Sequence, residues 1–169
     1  MTARDHQLKA KVDLDATRRW LRQCDDQALL KRLRALLAHD SQAEAELLSF
    51  IGEVDHRRLY RECAFPSMFQ YAVDELHLSE GRAYKRITAA RTARNYPILL
   101  ERVARGELHL SAICLLARHL TPANHEELAC QATHKTKRAL EKMLAERFPK
   151  PDAAASVRKL PTQSLKNPG

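Results

Sequence analysis

A chain of 169 residues can bury one hydrophobic core of ordinary size and leaves little room for a second domain. Its 29 Lys and Arg against 21 Asp and Glu give a net charge of +8, which favours polyanionic partners, nucleic acid or an acidic membrane surface. Four Gly and seven Pro, 5% aromatics, abundant Ala, Leu, Arg and Glu, and no alternating Val/Ile/Thr run argue against a β-rich fold and predict an all-α, multi-helix bundle of about six to eight helices.

Residues 1–12 are polar and read as a flexible N-terminus; residues 13–148 are expected to form the helical domain. Asp13–Cys24 predicts a short helix carrying Trp20, with Arg18, Arg19 and Arg22 exposed. Asp25 or Asp26 then caps an amphipathic helix whose apolar stripe is Leu29, Leu30, Leu33, Leu36 and Leu37. Ser41 and Glu44 match a capping box and would start a new helix. Leu47, Leu48, Ile51, Val54 and Tyr60 nevertheless keep nearly the same face, so one long helix over about 26–62 is the preferred reading, with a helix pair as the alternative. Such a helix is too long to bury its whole stripe in a small domain, and Leu29–Val54 is a candidate homodimer seam.

Phe65 and Pro66 interrupt, and Ser67 caps a helix over 67–77 with Phe69, Ala72, Val73 and Leu76 expected inward. The pentapeptide ELHLS follows as Glu75–Ser79 and recurs as Glu107–Ser111, each copy read as a turn whose Ser opens a helix. The first launches helix 79–95 and the second helix 109–120. Between them Pro97 opens and Gly106 closes a helix. Thr121 and Pro122 start another, reaching about Gln131, and Lys135–Phe148 is the last. The tail 149–169 holds four prolines and no periodic pattern, and reads as a linker.

Helix 79–95 carries the clearest chemical signal. Residues 82–94 contain Arg82, Lys85, Arg86, Arg91 and Arg94 and no acidic residue. At 100° per residue, Ala83, Ile87 and Ala90 share one side. Arg82, Lys85 and Arg86 share another, with Ala89 and Ala93 between them. A narrow, Ala-lined, basic helix suits entry into a DNA major groove, with Arg and Lys on phosphates and base edges and with Tyr84 and Thr88 as hydrogen-bond donors to phosphate. Ala72, Val73 and Leu76 packing on Ala83 and Ile87, with Leu78 in the turn, complete a helix-turn-helix-like unit over 67–95. His77 stands where such turns often carry Gly. Helix 109–120 differs: Ile113, Leu115, Leu116 and Leu120 surround it, so it is expected to be core.

No catalytic set is visible. P-loop, G-x-G-x-x-G and G-x-S-x-G strings are lacking, and Asp55–His56 reads as a surface pair. The histidines lack ligand spacing, so neither a metal site nor a cofactor is assigned. Cys24, Cys63, Cys114 and Cys130 are isolated, which fits a reducing cytoplasm, with Cys114 and Cys130 expected as buried thiols. No secretory leader is visible, and no apolar run approaches the roughly 18 residues of a membrane span.

Residues from about Asp26 to Pro161 resemble the N-terminal helical region of bacterial HNH-endonuclease-signature proteins, related to the DUF222 (13E12-repeat) group. The string LSEGRAYKRITAAR, then Pro, then G-x-L-x-L-S, carries the resemblance most specifically. It implies an N-terminal module of an HNH-type nuclease whose catalytic ββα-metal unit lies further C-terminal, and it supplies no catalytic residue to carry over. Residue pattern and resemblance together lead to a DNA-binding module for duplex DNA, contacting it through Arg82, Tyr84, Lys85, Arg86, Thr88, Arg91 and Arg94. The alternative is an oligomerisation or protein-interaction module with no direct nucleic-acid contact.

Overall fold

The computed structural model describes residues 13–149. The fold is all-helical: α1 (Leu14–Gln23), α2 (Asp26–Arg57), α3 (Met68–Gln70), α4 (Glu80–Asn95), α5 (Ile98–Ala104), α6 (Leu110–Leu116), α7 (His125–Ala132) and α8 (Lys137–Arg147). Eight helices and no strand among the described residues match the expected class. The assigned N-terminus 1–12 and nearly all of the tail 149–169 lie outside the described residues.

Capping chemistry sets several helix starts. The Asp13 carboxylate accepts from the amides of Asp15 and Ala16 at 3.0 and 2.9 Å, and Asp25 from Ala28 at 2.8 Å. Ser67 accepts from Gln70 at 3.1 Å and Thr136 from Ala139 at 3.3 Å.

α2 is one helix of 32 residues, as the continuous stripe predicted. Ser41 and Glu44 are interior to it, because nothing at His39 or Asp40 breaks the hydrogen-bond ladder. Arg58 ends the helix in the left-handed conformation, at φ 58°. Only the C-terminal half of α2 enters the core, through Ala45, Leu48, Ile51 and Gly52.

α4 lies at the centre, packed against α2, α3 and α6. Ala83, Ile87, Ala89, Ala90 and Ala93 are all buried. With Arg86 they span about 160° of the helix circumference. The small side chains let neighbouring helices come close: a Cβ on Gly52 would stand 3.5 Å from the Ala90 carbonyl oxygen and 3.7 Å from its Cβ. Those are ordinary contact distances, so one methyl fits and a larger side chain does not. Gly52→Ala should therefore raise stability by about 0.5–1 kcal/mol through helix propensity. Gly52→Leu should lower it by about 1–3 kcal/mol through overpacking. Urea unfolding of the two variants checks the opposite signs.

Around this centre, α5 packs on α2 and α7, and α6 on α7 and α8. Pro97 and Gly106 bracket α5 as expected, Gly106 at φ 72°. The expected helix 109–120 stops at Leu116 because Asn124 organises the next turn. Its side chain donates to the His119 carbonyl at 2.9 Å and accepts from the Thr121 amide at 2.7 Å. The helix expected at Thr121 accordingly begins at His125.

Candidate nucleic-acid interface

The segment before α4 was expected as one helix over 67–77. It is a single α-turn, Met68–Gln70, widening into a π-type turn over Tyr71–Glu75 that ends with the Leu76 amide on the Tyr71 carbonyl at 3.1 Å. The wider pitch rotates the following residues. Ala72 is buried and Val73 half-buried, but Leu76, at the end of the wider turn, is 41% exposed, contrary to its expected inward placement; Phe69, ahead of that turn on α3, is exposed to the same extent and also departs from the expectation. Leu78 is half-buried against the core, its amide on the Ala72 carbonyl at 3.0 Å. His77 supplies the left-handed residue of the turn, at φ 52°, where glycine is the usual solution.

The two ELHLS copies do not fold alike. After the first, Ser79 occupies the N-cap position, its hydroxyl forming no capping bond, and the helix starts at Glu80. In the second the helix starts at Leu110, two positions earlier in the pentapeptide, and His109 is the cap. The His109 Nδ1 accepts from the Ala112 amide at 3.0 Å, so Ser111 is inside the helix rather than opening it.

The basic residues of α4 divide into three groups. Arg82 and Lys85 are exposed and have no carboxylate partner among the described residues. Tyr84 stands beside them, 63% exposed, and Thr88 is half-buried on the same flank. Arg91 and Arg94 are exposed but engaged with α2. Arg91 forms a two-point pair with Asp55, Nε–Oδ2 2.6 Å and Nη2–Oδ1 3.0 Å. The hydrogen bond to Asp55 raises the Arg91 pKa further above its usual range. Arg94 reaches Glu53 at 2.8 Å, and that carboxyl is held below its usual value by Arg57 first and Arg94 second.

Arg86 forms the third group and corrects the expectation. It is 8% exposed, its Nη2 donating to Glu44 Oε2 at 2.6 Å. Burial against α2 removes it from the surface. Ala89 and Ala93, expected to line a DNA-facing strip, are sealed in the core, with α6 on that flank, where Cys114 Sγ lies 3.7 Å from the Lys85 carbonyl. The sequence pattern groups these five cations on one helix and gives no sign of the three acidic residues of α2 (Glu44, Asp55 and Glu53) that engage Arg86, Arg91 and Arg94. Their spacing carries no signal, since at 100° per residue Glu53 falls on the opposite side of α2 from Glu44, and only the packing of α2 on α4 brings all three within reach.

Cys114 is half-buried, and burial raises its thiol pKa. Cys130 is exposed, against expectation, because α7 turns it away from the α5 contact that buries Leu128 and Ala129. Among the described residues no group of three or more His, Cys, Asp or Glu stands where it would hold a metal ion. No described helix is long and apolar enough to cross a membrane. Set against protein-family models, curated proteins and solved structures, the chain matches none of them.

Proposed function

We propose that this chain is a DNA-binding helical module that contacts phosphates through the outer face of α4, in the manner expected of the N-terminal region of an HNH-type endonuclease. The observation that carries the reading is the set Arg82, Tyr84 and Lys85, outward on the N-terminal half of α4, with both cations free of carboxylates among the described residues. The net charge of +8 supports it by drawing polyanions to the surface. The short turn ending at His77 and the following α4 serve as the helix-turn-helix-like unit, and the exposed flank of α4 faces the duplex. The affinity is electrostatic, with Tyr84 and Thr88 placed to hydrogen-bond backbone phosphates.

Two free cations set the scale. Each phosphate contact contributes a slope of about −0.9 in log affinity against log salt, so binding weakens roughly tenfold between 50 and 200 mM salt from these two alone. In a titration of labelled duplex at several salt concentrations, the double variant R82A/K85A should bind more weakly with a slope shallower by about 1.8. Arg86 stays in place, because its removal attacks the fold. Equal affinity and slope in wild type and variant would overturn this reading.

A further inference from the structure

We propose that two copies of this chain associate through the apolar faces of α1 and the N-terminal half of α2. Leu29, Leu30, Leu33, Leu36 and Leu37 fall within about 120° of the α2 circumference. The same arc, followed along the helix, contains Leu48 and Ile51, which are in the core. The core-forming face therefore continues beyond the body of the domain, and none of the described residues is laid against it. Those five leucines are 39–58% exposed, and every residue over 26–40 is exposed except half-buried Ala28. α1 adds Leu14, Trp20 and Leu21, also exposed, on a helix with no buried residue.

The area is that of an interface. The five leucines leave roughly 400 Å² of apolar surface, about the largest patch a monomer ordinarily carries. With Leu47 in the same arc, Phe50 at its border and Leu14, Trp20 and Leu21 on α1, the exposed apolar side chains of the two helices total roughly 800 Å², the size of one partner's share of a standard interface. The rest of this sequence offers no cover of that size: outside the described residues only Leu8, Val12, Val157, Leu160 and Leu165 are Leu, Ile or Val. A second copy does. The stripe is wider than the two-position seam of a two-stranded coiled coil and suits a helix flanked by two neighbours. The partner's α1 and α2 supply those two, and a twofold arrangement satisfies both copies at once and closes.

The inference does not depend on nucleic-acid binding, and its test is separate. The full chain is followed by sedimentation equilibrium from about 1 to 200 μM, together with the emission of Trp20, the only Trp in the sequence. The mass should rise from one chain to two and level off, with Trp20 emission moving to shorter wavelength. L33E/L36E should remain a single chain with unchanged helical circular dichroism. K31E, on the opposite side of α2, should dimerise as wild type does. If the charged variant loses helix, the milder L30A/L37A, which keeps the stripe apolar, should weaken association at least tenfold. Four outcomes overturn the proposal: a single chain at every concentration, undiminished dimerisation of the stripe variants, mass that grows without levelling, or recruitment to phosphatidylserine vesicles by a chain that stays monomeric. R82A/K85A should dimerise normally, which separates this result from any failure of DNA binding.

Discussion

Arg86→Ala should cost the fold about 3 kcal/mol, lowering the melting temperature on the order of 10 °C. The Arg86 side chain is 9% exposed and that of Glu44 22%, so the pair is largely sealed between α4 and α2. Removing the cation strands a carboxylate that water reaches poorly, and leaves a cavity where the Arg stem packed. The pair is also incompletely satisfied: Glu44 Oε1 and Arg86 Nε, both buried, lack hydrogen-bond partners among the described residues. An apolar replacement of both residues should therefore recover most of the loss. Thermal unfolding of R86A and of E44L/R86M measures the contrast. A single variant within about 0.5 kcal/mol of wild type would mean that solvent, not Arg86, stabilises Glu44.

The second large effect is Leu116→Ala, expected to cost about 2–5 kcal/mol. Leu116 is fully buried on α6, the helix that flanks α4 on one side and α8 on the other. At 0% exposure within the core cluster, its truncation leaves a cavity, so the cavity term adds to the lost transfer energy. Leu76→Ala should cost less than about 1 kcal/mol, since the π-type turn leaves Leu76 two-fifths exposed. Chemical denaturation of both variants checks the ranking. Equal losses would place Leu76 in the core and restore a regular helix before α4.

The architecture was legible because its signals are local and periodic. Asp13, Asp25, Ser67, Pro97 and Gly106 mark helix ends by hydrogen bonding or backbone preference, and each marks one here. The apolar stripe of α2 overrode the capping-box match at Ser41, since a cap signal matters only where the helix has reason to stop. The π-type turn at Tyr71–Glu75 had no such mark. Its extra residue per turn depends on Met68 and Ala72 seating in the core, a tertiary effect that periodicity cannot register. The repeated ELHLS illustrates the same limit. Identical residues start helices in two registers because Leu108 is drawn into the core in one copy while His77 absorbs the turn in the other.

Legibility of the site was partial for a related reason. Counting cations along α4 counted surface and interior together. Arg82 and Lys85 remain at the surface, Arg91 and Arg94 are tethered to Asp55 and Glu53, and Arg86 belongs to the packing. An arginine on a helix buried over nearly half its circumference serves whichever carboxylate the neighbouring helix presents, and that identity lies some 40 residues away in sequence.

The length of α2 has a hydrodynamic consequence. At 1.5 Å per residue its 32 residues span about 48 Å, whereas a compact domain of this size is only about 30 to 35 Å across. A head with a rod attached tumbles and diffuses more slowly than a sphere of equal mass. A single chain will therefore elute early from a sizing column and imitate a larger particle, so mass has to be read from equilibrium sedimentation or light scattering, which do not depend on drag.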